Sequence, residues 1–185
     1  MDNFSPAQQQ VLNLLNQYDE DELENQHSKA LLIKFAERYE NCCERTLTVG
    51  HFTGSCWLVS KDGQRVLLTH HKKLERWLQL GGHADGDSDL AQVALREAEE
   101  ESGLTNLVVD PEIFDLERHA IPARGSDAEH FHHDVRFVVH ATGSEDFVVS
   151  DESHALAWRV ISELVDDPEA EESIRRMARK WLKRS

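Results

Sequence analysis

The stretch Leu80-Gly81-Gly82-His83-Ala84-Asp85-Gly86-Asp87-Ser88, followed by Arg96-Glu97-Ala98-Glu99-Glu100-Glu101-Ser102-Gly103-Leu104, restricts the fold more tightly than any other part of the chain. Leu90, Val93, Ala94 and Ala98 recur at three- and four-residue steps, which is the period of one apolar helix face. Ser88 or Asp89 then serves as the N-cap, and Gly103, free to turn left-handed, ends the helix. On this helix Glu97 precedes Glu101 by four residues and Glu100 by three, so their Cβ atoms stand about 5–6 Å apart. Such like-charge pairs cost an isolated helix roughly 0.2–0.5 kcal/mol each, and they sit at the C-terminal end, where the helix dipole also disfavours anions. Stability alone gives no reason for them. Hard divalent ions prefer oxygen ligands and keep water for a substrate phosphate, so the cluster reads as a site for Mg²⁺ or Mn²⁺, with Arg96 steadying a carboxylate one turn away. The glycine pair before it lets backbone approach an ion or a phosphate closely.

The same residues resemble the signature of the Nudix hydrolase family: Gly, five residues, Glu, seven residues, then Arg-Glu-aliphatic-any-Glu-Glu-any-Gly-aliphatic. Gly82, Arg96, Glu97, Ala98, Glu100, Glu101, Gly103 and Leu104 stand in register, while Ser88 takes the first Glu position between Asp87 and Asp89. Leu80 stands where many relatives carry Pro. The resemblance implies an α/β fold, a Nudix-type α/β/α sandwich with a mixed sheet. It further implies cleavage of a phosphoanhydride in a nucleoside diphosphate linked to another moiety, by water attack on phosphorus. The metal would be Mg²⁺, with Mn²⁺ as the alternative, held by the Gly81 carbonyl, Glu97, Glu100 and Glu101. Glu97 would be the general base and Arg96 an orienting residue. Ser88 puts one outer ligand in question, for which Asp85, Asp87 or Asp89 is a substitute. Glu152, six residues before Trp158, resembles the distal loop Glu that some members use as a further ligand or as the base. An alternative from another class is a catalytically impaired Nudix-fold nucleotide-binding or regulatory module, with Ser88 as the first sign of decay. Three converging carboxylates weigh against it. Isomerisation of an isoprenoid diphosphate ranks lower, because Leu80-Gly81-Gly82 stands where its catalytic Cys would be.

The rest of the chain divides by texture. Residues 1–45 read as a helical N-terminal extension and 46–185 as the main domain. Ser5-Pro6 starts a helix with apolar positions Val11, Leu14 and Leu15, the run Asp19-Glu20-Asp21-Glu22 breaks it, and Leu31, Leu32, Phe35 and Ala36 mark a second helix ending near Asn41. Packing on the main domain and a homodimer contact are two equal readings of this extension. A hairpin around Asp62-Gly63 follows, and further strands are expected at 107–109, 113–119, 131–140 and 147–149, with a last amphipathic helix through Ile174, Met177 and Trp181.

On a strand, His132, Asp134 and Arg136 alternate with Phe131, His133 and Val135, so His130, His132 and His133 do not converge and a zinc centre is not expected from them. His132 and Arg136 are candidates to contact substrate, as are His70 and Arg76, which lie shortly before the glycine pair and suit a phosphate that is not being attacked. The net charge of −15 disfavours nucleic-acid polymers and leaves a small nucleotide or diphosphate as partner. Three cysteines give no disulfide framework, and without an apolar run long enough for a membrane the expected location is cytoplasmic.

Overall fold

The computed structural model describes residues 4–19, 22–125, 127–151 and 153–184. Two helices, α1 (Pro6–Gln17) and α2 (Leu23–Arg38), precede a seven-stranded mixed sheet. The sheet comprises β1 (Gly50–Val59), β2 (Arg65–His71), β3 (Arg76–Leu78), β4 (Leu80–His83), β5 (Leu107–Ile121), β6 (His130–Ala141) and β7 (Ser153–Val160). Helix α3 (Leu90–Ser102) lies between β4 and β5, and α4 (Ile161–Leu164) and α5 (Glu172–Lys183) close the chain. No helix among the described residues is long and apolar enough to cross a membrane.

The strands run in the order β3-β2-β1-β6-β5, with β4 also on β1 and β7 on β2. β1 and β6 are parallel, with His51 opposite His132 and Ser55 opposite Arg136. Every residue of β1 is buried, as expected of a central strand covered on both faces. Its alternation splits the core. Phe52, Cys56 and Leu58 join α1, α2 and α3 in one apolar cluster, whereas Trp57 and Val59 join α4 and α5 in the other. Gly54 allows the α3 contact, since a Cβ there would lie 2.9 Å from the Leu90 carbonyl oxygen and from Val93.

Local signals set the helix ends. Ser5 and Gln8 form a capping box across Pro6, Asp89 caps α3 by accepting from the Gln92 N–H, and Gly103 ends α3 at φ 68°. The first two helices are fastened to the sheet. Val11, Leu15, Leu32 and Phe35 enter the larger core, and the Gln8 side chain donates to the Ala36 carbonyl at 2.8 Å. Beneath them Lys180 of α5 donates to Asn25 Oδ1 at 2.6 Å, to the Tyr18 hydroxyl at 2.8 Å and to Asp115 at 3.1 Å. This buried network ties both ends of the chain to β5.

Two strand expectations need correcting. Segments 107–109 and 113–119 form one strand, β5, whose irregularities lie between Val109 and Asp115, around Pro111. Pro cannot donate to a ladder, and this position is on an edge strand that bulges there. Segment 147–149 is not a strand. The Val148 N–H instead donates to the Ser102 carbonyl at 2.7 Å, using an acceptor that the end of α3 leaves open, while Val148 and Val149 remain exposed. The strand that does form is β7, and it pairs along β2 from Val160 opposite Arg65 to Ser153 opposite His71.

Candidate active site

Strand β4 and helix α3 build the carboxylate site. β4 pairs antiparallel with β1, Gly82 opposite Gly54 and Gly81 opposite Ser55, which places the glycine pair beside α3. The Gly81 N–H donates to Glu101 Oε1 at 2.8 Å, and Glu101 is only 8% exposed. Glu97 fills the space over Gly82, where a Cβ would come within 2.4 Å of Glu97 Oε2. Two carboxylates therefore converge on the glycine backbone, and exposed Glu100 stands on the adjacent turn. Burial foremost, then the Glu101 and Glu97 charges, raises the Cys56 thiol well above its ordinary value.

These donors fit a hard divalent ion: they are oxygen throughout, a glycine backbone is within reach, and negative charge is concentrated beside a partly open surface. Because the atom nearest a Gly82 Cβ is the end of a flexible side chain, Gly82→Ala would move the Glu97 head rather than the backbone. A displacement of about 1 Å at a catalytic group costs roughly 10²-fold in rate. Gly82→Ala should therefore lose that factor in kcat while thermal unfolding stays within a few degrees of wild type, as paired kinetics and melting would read.

The other sequence candidates are dispersed. Arg96 is half-exposed and pairs with Asp87 at 3.6 Å. It thus steadies the turn before α3 rather than Glu100. Asp85, a candidate substitute ligand, is held by Arg45 in two contacts of 2.5 Å. The Ser88 hydroxyl donates to Gln10 of α1 at 2.9 Å, joining the N-terminal helices to the signature loop. Glu152 lies outside the described residues. His70 is grouped with Glu75 and His154, and Arg76 reaches Glu171 at 3.4 Å.

Arg136 does not suit the substrate contact expected of it. It is 2% exposed and committed to Asp134 at 2.8 Å, Asp115 at 3.0 Å and Glu117 at 2.5 Å. Asp134 also accepts from the Thr53 and Ser55 hydroxyls at 2.7 Å each. Burial opposes its charge, but Arg136 and these hydrogen bonds prevail and hold its carboxyl below the usual range.

His132 belongs to a group that the single strand did not reveal. His133 faces the other way, as alternation requires, and stacks on Phe35 at 3.8 Å. On the His132 face, neighbouring strands add His51, His83 and His119, with ring centroids 5.0, 5.1 and 5.6 Å from His132. Burial foremost, then neighbouring His83 and His130, lowers His51 to about 4. The Leu47 carbonyl opposes this slightly, although neither His51 nitrogen makes a hydrogen bond of normal geometry. Burial likewise lowers His132 to about 2 and His133 to about 3, so these imidazoles are neutral. The signal was present as three polar alternations, His51-x-Thr53-x-Ser55, His130-x-His132-x-Asp134-x-Arg136 and Asp115-x-Glu117-x-His119, but strand register was needed to join them.

The fold is shared with known proteins. The chain is similar to a Nudix-family hydrolase from Clostridium perfringens, with 26% identity and a TM-score of 0.51 over 72% of this chain and 96% of that one. It is also similar to a C. elegans Ap4A hydrolase, at 20% identity and a TM-score of 0.56 over 71% of this chain and 95% of that one. A MutT protein from Methanosarcina mazei Go1 shares 15% identity with a TM-score of 0.56, over 75% of this chain and 96% of that one. No curated protein matches. The family model for the NUDIX domain matches residues 51–181, from the second residue of β1 into α5. With that match and the carboxylate helix in register, the chain belongs to the NUDIX domain family and is a Nudix-type hydrolase of phosphoric anhydrides.

Proposed function

We propose that this chain hydrolyses the pyrophosphate bond of a nucleoside diphosphate linked to another moiety, using Mg²⁺ or, in its place, Mn²⁺. The observation that carries this reading is the convergence of Glu97 and Glu101 on the Gly81–Gly82 backbone. Glu97, Glu100, Glu101 and the Gly81 carbonyl are the residues that would hold the ion. When bound, the ion neutralises charge on the diphosphate oxygens and lowers the pKa of water. Glu97 takes the proton of the attacking water, and the new bond forms between that oxygen and phosphorus while the bridging oxygen leaves with the other phosphate. Glu101, fixed by the Gly81 N–H, keeps the helix and the glycine strand in register during the step. Arg96 holds Asp87 and so the entry to α3. Residues 46–185 are assigned to the hydrolase domain and 1–45 to its helical extension.

The structurally similar C. elegans protein is named for Ap4A, and an E. coli neighbour of 14% identity is a dihydroneopterin triphosphate pyrophosphohydrolase. Such distant likeness supports the fold, so the substrate must be found by screening. Purified protein would be assayed against ADP-ribose, other nucleotide sugars, dinucleoside polyphosphates and nucleoside triphosphates with Mg²⁺ and with Mn²⁺, with Glu101→Gln as the blank. Turnover of one class above that blank is expected. Equal rates for wild type and blank across the panel would overturn the proposal.

Ser88 provides a second test. Its hydroxyl already has a partner in Gln10, and Ser88→Glu would restore the carboxylate of the signature while losing that bond. The expected result is activity equal to or above wild type, at a stability cost of about 0.5–1.5 kcal/mol for one hydrogen bond. A large fall in kcat would instead give Ser88 a role of its own.

A further inference from the structure

We propose that His51, His83 and His132 form a second metal site, which takes a borderline divalent cation of the Zn²⁺ class and is separate from the carboxylate site. One ring nitrogen of each residue lies within 4.8 Å of those of the other two. The edge of a tetrahedron with Zn–N of about 2.0–2.1 Å measures about 3.3–3.4 Å. Nitrogens within 4.8 Å of one another need to close by no more than about 1.5 Å, within reach of side-chain rotation, to share one ion.

Three independent features point to a ligand. The first is His51, which is 4% exposed with neither ring nitrogen in a hydrogen bond of normal geometry. A buried polar group left unsatisfied costs about 1–3 kcal/mol, and a metal supplies the missing partner. The second is placement. The three residues stand on three paired strands, β1, β4 and β6, in the rigid centre of the sheet, with His51 opposite His132 and His83 opposite Thr53. The third is orientation at the margin, where His130 Nδ1 lies 2.9 Å from the Ala128 carbonyl. Donation there leaves Nε2 to accept from the His132 Nε2–H at 3.3 Å, so that the lone pair of neutral His132 is on Nδ1.

The donor sets differ in hardness. Neutral imidazoles suit zinc and its neighbours, whereas carboxylate and carbonyl oxygens suit magnesium. Alternation along β4 separates the two, because Gly82 faces α3 and Glu97 while the next residue, His83, faces His51 and His132. Three protein nitrogens leave a fourth position for water or an anion, the pattern of an open zinc site. This inference does not depend on the hydrolase reading.

The test uses the whole chain, stripped with a chelator, equilibrated with Zn²⁺ in excess Mg²⁺ and desalted before elemental analysis. One zinc per chain is expected in wild type and in Glu101→Gln, with at least a tenfold weaker affinity in His51→Gln and in His83→Gln. X-ray absorption of the wild-type zinc protein should show a nitrogen-dominated shell at about 2.0–2.1 Å, a readout that no variant's folding can disturb. The proposal is overturned if wild type retains no zinc, if retention is unchanged in both His variants, if Glu101→Gln releases it, or if the shell is carboxylate-rich.

Discussion

Glu97→Gln should lower kcat by about 10²–10⁴-fold, the usual contribution of a positioned general base, while the protein remains folded. The change removes a charge but keeps the side chain's size, so the space over Gly82 remains filled and α3 stays docked through Val93 on Gly54. KM should move much less than kcat, because the lost contribution belongs to the transition state. Steady-state kinetics over a range of Mg²⁺ concentrations would separate weakened metal binding, which added metal rescues, from loss of the base, which it does not. A variant within tenfold of wild type at saturating Mg²⁺ would remove Glu97 from the role of base. Glu101→Gln differs in kind. Its Oε1 accepts from the Gly81 N–H, a bond that the amide oxygen can keep, so it should lose turnover with its register contact intact.

The second large effect concerns stability. Asp115 is fully buried and receives Arg136, Arg176, Lys180 and Asn25, with Arg176 donating at 2.8 and 3.1 Å. Burial works against its charge, yet the Arg176 hydrogen bonds and the surrounding cations win and hold its carboxyl at about 2. Asp115→Asn leaves three buried cations short of a counter-charge and should cost about 3–5 kcal/mol. In a chain of this size that is a fall in Tm of about 6–20 °C. A melting temperature within 2 °C of wild type would show that the cluster contributes nothing net. The pH dependence follows from the same group. Its folded value lies below the unfolded carboxylate value of about 3.9, so its contribution is complete above about pH 5 and is lost as pH falls through 4 toward 2. Wild-type acid unfolding should be steep in that window, and Asp115→Asn should flatten it.

The carboxylate site was legible because it is local. Asp89, Gly103 and the apolar spacing of Leu90, Val93, Ala94 and Ala98 define a helix in one continuous segment, and helix geometry alone brings Glu97 and Glu101 to the same face. The histidine group and the Asp115 cluster were not legible for the opposite reason. Each draws on residues far apart in the chain, His51 with His132 and Asn25 with Lys180, and they meet only through strand register or helix docking. Arg136 shows the difference within one strand. Its alternation with Phe137 predicted a polar face, but only the neighbouring β5 supplies the Asp115 and Glu117 that bind the guanidinium away from any substrate.

By itself, the sequence determined the period-3.6 helix, its caps, the glycine pair before it and therefore the gathering of carboxylates on one helix face, since each depends on neighbours within a few residues. Only the tertiary structure decided which polar faces meet. A parallel β1–β6 pairing, with β4 and β5 alongside, gathers the histidines, and the docking of α2 and α5 on β5 buries Asp115 among cations. Strand register is set by burial over the whole sheet, and that information is spread over residues too distant in the chain for any local pattern to carry.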